Sequence, residues 1–161
     1  MKAVVDTNVV AYYLLGTEPF VEEVRQFWRT VKEPCAPTHW EAELANAVWM
    51  AVRMGVLPTD EGHRKLDLAA RLGIESVANR SLWQPALTRA LTSGAAVYDT
   101  LFVELATQRS LPLATFDKKV LKKCSKIKAA TGPDGRVGQT WLQFASQTRV
   151  TCGQHPERGQ L

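Results

Sequence analysis

The sequence predicts a single α/β domain in which helices cover both faces of a mostly parallel sheet. Three observations carry this expectation. Short apolar runs suited to buried strands recur along the chain, helical segments with an apolar stripe separate them, and Pro and Gly punctuate the joins. Strands that alternate with helices build parallel sheets layered between helices. At 161 residues the chain suits one domain with a real core, and it contains no internal repeat or low-complexity tract.

Taken in order, Lys2 to Val5 is the first strand, Asp6-Thr7-Asn8 a polar turn, and Val9 to Leu15 the first helix. Pro19 opens a second helix to about Val31, with Phe20, Val24, Phe27, Trp28 and Val31 on one stripe. Pro34 ends it, and Cys35 to Thr38 supplies a strand. Trp40 to Met54 is strongly helical, stops at Gly55 and is closed by Pro58. Thr59 or Asp60 caps a helix to about Leu72. Ile74 to Val77 is a strand, and Ser81 to Leu91 a helix with Pro85 in its first turn. Tyr98 to Arg109 is a helix and Leu111 to Phe116 the last strand. The Thr131-Gly-Pro-Asp-Gly stretch is a turn-rich break, so residues 1–131 form the domain and 132–161 a C-terminal extension. Within the extension Gln139 to Ser146 reads as a helix and Thr151 to Leu161 as a frayed tail.

The composition narrows the function classes. The start, MKAVVDTNVV, does not read as a signal peptide, because Asp6 and Asn8 interrupt its apolar run. No segment reaches the roughly 20 uninterrupted apolar residues that cross a bilayer, so a cytoplasmic location with no membrane partner is expected. Cys35, Cys124 and Cys152 are odd in number and far apart, which argues against a disulfide framework. His39, His63 and His155 share no zinc-like spacing with them. The formal charge is +4, but Lys118, Lys119, Lys122, Lys123, Lys126 and Lys128 crowd one segment with no acid after Asp117. Such a face suits a phosphate backbone, although a merely solvated helix face has the same pattern.

Four acids stand out. Asp6 and Asp117 each follow an apolar strand and precede a helix, which suits an N-cap. Both would also lie at carboxyl ends of parallel strands, the edge where open α/β sheets place ligands. At about 100° per residue, Asp99 falls between Val103 and Ala106 on the apolar stripe of its helix, and Glu104 falls on the polar side. Asp99 is therefore expected to point inward, beyond any favourable interaction with the helix dipole. In the helix from Trp40, Glu43 lies at one edge of the stripe and Glu41 near the other, and periodicity does not choose between them. Asn46, one turn beyond Glu43, could orient its carboxylate, and Thr7, Asn8 and Thr115 offer short polar groups beside Asp6 and Asp117.

Four segments carry a family likeness. VVDTNV, PTHWEAELANA, YDTLFVELA and LATFDKKVL resemble, in order and spacing, the motifs of PIN-domain ribonucleases, most closely the toxin subunits of VapBC toxin-antitoxin pairs. The resemblance spans roughly Met1 to Lys128 and implies a three-layer α/β/α sandwich. Its helix acid falls on Glu43 rather than Glu41. It implies Asp6, Glu43, Asp99 and Asp117 as the catalytic, metal-binding quartet, with Asn8 and Thr115 in support. The stretch from about Gly132 matches nothing in the family.

Four oxygen donors without clustered His or Cys suit Mg²⁺ or Mn²⁺ rather than zinc. The resemblance implies RNA as substrate, cut to a 5′-phosphate and a 3′-hydroxyl, and a small antitoxin as partner. Lys118, Lys119 and Lys122 are the RNA-backbone candidates. Trp40, Trp49 and Trp83 are considered for base stacking, Trp40 more as packing. Apolar surface around Phe20 to Trp28 and Trp49 could serve a homodimer or an antitoxin helix. The competing readings are a free-standing RNA-processing nuclease and a non-catalytic RNA-binding or partner-docking module. An aspartyl phosphotransfer domain usually carries a second acid two residues after its nucleophile, where this chain has Asn8.

Overall fold

The computed structural model describes residues 1–124. The expectations for Lys126, Lys128, the break at Thr131 and the extension at 132–161 lie outside the described residues. Four strands, β1 (Lys2–Val5), β2 (Glu33–Pro37), β3 (Glu75–Val77) and β4 (Leu113–Ala114), form one sheet in the order β3-β2-β1-β4. Every neighbouring pair is parallel, with Val4 opposite both Cys35 and Leu113. Seven α-helices accompany the sheet among the described residues: α1 (Thr7–Leu15), α2 (Val21–Thr30), α3 (Trp40–Arg53), α4 (Thr59–Ala70), α5 (Trp83–Ser93), α6 (Val97–Arg109) and α7 (Lys118–Cys124).

The arrangement follows from burial. Ala3, Val4 and Val5 of β1 are fully buried, as expected of a central parallel strand covered on both faces. Helix α1 packs with α2, α3 and α4, whereas α6 lies on β1 and β2 with α5 and α7 against it. The three-layer α/β/α sandwich is thus the fold. Leu44, Leu82, Leu105, Val10 and Val24 are among its most deeply buried side chains. No helix among the described residues is long and apolar enough to cross a membrane, and Cys35 and Cys124 are free thiols.

Several boundaries differ from expectation for identifiable reasons. Helix α1 begins at Thr7, two residues early, because Asp6 takes the N-cap position and accepts the Asn8 N–H. Helix α2 starts beyond Pro19, which sits in a turn closed by the Phe20 N–H to the Thr17 carbonyl. Neither Thr59 nor Asp60 caps α4. Pro58 holds the N-cap position with no side-chain hydrogen bond, and Asp60 pairs instead with Arg64. Strand β4 is only two residues long, because the chain beyond Ala114 turns its polar groups toward the end of β1.

The larger correction concerns α6. Its buried residues are Thr100, Leu101, Phe102, Glu104 and Leu105, and Asp99 is only half-buried. A single stripe fails because α6 is enclosed twice, by the sheet below and by α5 alongside. On the α5 side the Thr100 hydroxyl donates to the Ala86 carbonyl at 2.8 Å, and buried Glu104 pairs with the Arg89 guanidinium. Glu104→Leu leaves Arg89 charged and unpaired in this interface and is expected to cost about 3 kcal/mol or more. Replacing both partners, Arg89→Met with Glu104→Leu, should recover most of that loss in urea melts. Equal destabilisation of the single and double variants would refute the pairing.

Candidate active site

The site is built where β1 and β4 end. The Asp6 Oδ2 accepts the Thr115 hydroxyl at 2.5 Å and the Asn8 side-chain amide at 2.9 Å, while its Oδ1 accepts the Asn8 backbone N–H at 3.3 Å. The Asn8 Oδ1 accepts the Phe116 N–H at 3.1 Å, which leaves its NH₂ for Asp6 and, at 3.2 Å, for the Thr115 oxygen. Thr115 also accepts the Asp117 N–H at 3.0 Å. Asp117 in turn accepts the Lys119 and Val120 N–H groups at 2.7 and 3.1 Å and so caps α7. Both strand-end acids are therefore helix caps at the carboxyl edge of the sheet.

Helix α3 separates its two rival acids. Glu43 is half-buried and accepts the buried Thr7 hydroxyl at 2.5 Å, which turns it toward the start of α1. Glu41 is exposed and accepts the Ser76 hydroxyl at 2.6 Å, and the Ser76 oxygen accepts the Trp40 indole N–H at 2.9 Å. Glu41 is thus tied to β3. Asn46 is exposed, and the hydrogen bond expected from it to Glu43 comes from Thr7 instead. Sequence reasoning also passed over His39. Its Nδ1 lies 3.3 Å from the Asn79 Oδ1, its ring stands edge-on to Phe102, and its Nε2 is 3.7 Å from Glu43.

The acids lie within one another's fields. Withdrawal from water pushes the Asp6 carboxyl up to about 6, against the hydrogen bonds from Thr115 and Asn8, and Glu43 and Asp99 push it further. Asp99 is likewise raised, first by burial and then by Asp117 and Glu43, with Lys123 and His39 acting in opposition. Two clefts flank this edge. One, of about 410 Å³, has Asp99, Asp117, Lys119 and Lys123 on its walls, and Lys123 also donates to the Gly94 carbonyl. The other, of about 650 Å³, lies between α3 and the start of α6 and includes His39, Glu43, Asn46, Asn79 and Tyr98. Lys118 and Lys122 belong to α7 but line neither cleft. Trp40 is buried packing, whereas Trp49 and Trp83 are exposed away from both clefts.

The donor chemistry bears on a metal ion. Among the described residues no group of three or more His, Cys, Asp or Glu is gathered closely enough to hold one. The four carboxylates are all hard oxygen donors, and two of them are raised, by burial first and by their acidic neighbours after it. This suits an ion such as Mg²⁺, which is commonly held by one or two carboxylates and keeps several waters. It does not make a closed, four-ligand cage.

The family model described as PIN domain matches residues 3–126, a span that includes all four acids. No curated protein matches the chain.

The raised Asp6 carboxyl has a measurable consequence. The folded chain binds this proton more tightly than the unfolded chain does, so the group's contribution to stability is complete below the ordinary value of 3.8 and is lost as pH rises through about 6. A difference of this size is worth at most about 3 kcal/mol, and losing one hydrogen bond returns about 1 kcal/mol. Asp6→Asn should therefore stabilise the chain by about 1 to 2 kcal/mol near pH 8 in chelator, with the gain gone near pH 4. Urea melts across that range test it, and a variant less stable than the parent near pH 8 would sink the idea.

Proposed function

The chain belongs to the PIN domain family, and on that premise we propose that it is a divalent-metal-dependent endoribonuclease acting as the toxin of a toxin-antitoxin pair. PIN domains are generally nucleases. The observation that carries the reading is the set of acids at one sheet edge, where burial first, and neighbouring carboxylates after it, raise Asp6 and Asp99. Fixed negative charge in a half-buried place favours a cation.

Asp6, Glu43, Asp99 and Asp117 are the residues among which Mg²⁺ or Mn²⁺ would find one or two direct carboxylate ligands, with waters completing its shell. Bound there, such an ion would supply an acidified water for attack on a phosphodiester and positive charge for the phosphoryl oxygens. The chain's own groups prepare that chemistry. Asn8 and Thr115 lock the Asp6 carboxylate in one orientation, and Thr7 does the same for Glu43. Asn46, beside Glu43 in its cleft, is free to meet substrate instead. Lys119 and Lys123 face the cleft that Asp99 and Asp117 share, where they would take phosphates of the RNA, and Lys118 and Lys122 extend the positive face along α7.

The toxin role rests on the likeness of the four motifs to VapBC toxins. It is supported by exposed apolar surface of the kind a partner covers, not around Phe20 to Trp28, where Val24 and Phe27 are buried, but at Trp83, Leu87 and Leu91 along one face of α5 and at Trp49, Met50 and Met54 at the end of α3. A small antitoxin or a second copy of the chain would bury it, and the cytoplasm is the location that goes with this reading.

Purified protein should cleave RNA with Mg²⁺ or Mn²⁺, and both chelation and Asp99→Asn should lower the rate by about 100-fold or more. A separate readout is the melting temperature, which either ion should raise for the parent and raise less for Asp6→Asn. Cleavage that survives chelation removes the metal from the mechanism, and failure with both metals removes the nuclease. Rescue of growth by a co-expressed small upstream protein would test the toxin role.

A further inference from the structure

We propose that the cleft between α3 and α6 is a nucleobase site, in which one unpaired base beside the scissile bond stacks on Tyr98. The location of the cut rests on the nuclease reading above; the binding of the base does not. Tyr98 is 59% exposed although it stands in the first turn of a largely buried helix. Tyr98 and Asp99 are consecutive, about 100° apart around α6, and they line different clefts. A strand crossing this turn would lay its phosphates on the Lys119 and Lys123 side and its base on the tyrosine side.

The cleft has the chemistry of a base. Ala42, Val97 and Leu101 give it apolar walls, and Asn46 and Asn79 supply carboxamides, the groups that read the polar edge of a base. Its volume of about 650 Å³ lies in the range of small-ligand clefts. A second observation points to a ligand. The His39 Nε2 on the same wall is buried with no hydrogen-bond partner, and at 3.7 Å the Glu43 oxygen is too far to supply one. An atom buried so has given up its water without replacement, and a small shift of the ring would bring it to a polar group on an entering ligand. Neither exposed tryptophan serves as well. Trp49 lies outside the cleft with Arg53 over its ring at 5.2 Å, and Trp83 also lies outside it.

A base inside a duplex keeps its faces stacked on its neighbours, so the site selects single-stranded RNA. The test uses the full chain and short RNAs in which one abasic nucleotide is walked along the sequence. Affinity is measured in chelator and cleavage with Mg²⁺. Tyr98→Ala should weaken binding about 10-fold, and Tyr98→Phe should keep it. One abasic position should cause a similar loss in the parent and almost none in Tyr98→Ala, a coupling that a merely structural tyrosine would not show. Asn46→Ala should alter the preference among the four bases at that position.

If Tyr98→Ala binds every RNA as the parent does, or if duplex binds as tightly as single strand, the base site is wrong. Loss of a protein partner with RNA affinity unchanged would overturn it in favour of a protein-docking face. A position-specific abasic effect in chelator without cleavage by either metal would uphold the base site while removing the nuclease. Normal cleavage by Tyr98→Ala at unchanged base preference would do the reverse.

Discussion

Hydrogen bonds converging on the carboxylate of Asp6 join the end of β1 to the end of β4 at the edge of the sheet. Thr115, 109 residues away in sequence, donates to the same oxygen as the neighbouring Asn8. Strand β4 is too short to hold itself to β1 by many ladder bonds, so this clasp and the Asn8 contact with the Phe116 N–H carry the pairing onward. From it follow the start of α1, the turn after β4 and, through Thr115, the placement of Asp117 as the cap of α7. Disturbing Asp6 therefore touches a strand end, a helix start and the acidic edge together.

That edge is held in tension by a core that tolerates it. Bringing carboxylates toward one another while removing water works against folding, as the elevated Asp6 and Asp99 carboxyls record. Beneath them β1 is buried on both faces and α6 is locked between sheet and α5. Natural proteins commonly accept local destabilisation where chemistry is performed. The molecule confines this one to the loops and first turns at the carboxyl side of the sheet.

The alternation of strands and helices was readable from the sequence because it depends on local apolar periodicity, and α3 and α6 were found within a residue of their expected bounds. The strand-end acids were readable for the same reason. The face of Asp99 was not, because the stripe argument assumes one buried side, and α6 has two. Glu104 looked polar only because its partner Arg89 belongs to a different helix. Glu41 and Glu43 could not be told apart from within α3, since Ser76 and Thr7, which separate them, lie on other elements. His39 and Tyr98 gave no local signal at all, because the cleft they share exists only where α3 approaches α6.

The bonds from Trp40 to Ser76 and from Ser76 to Glu41 have a consequence for the far side of the same helix. They anchor α3 to β3 at its first turn, on the flank opposite Glu43. A helix held there cannot roll about its axis without breaking the chain of three side chains. The acid that stands apart from the acidic edge thereby acts as a rotational stop for the azimuth at which Glu43 meets Thr7.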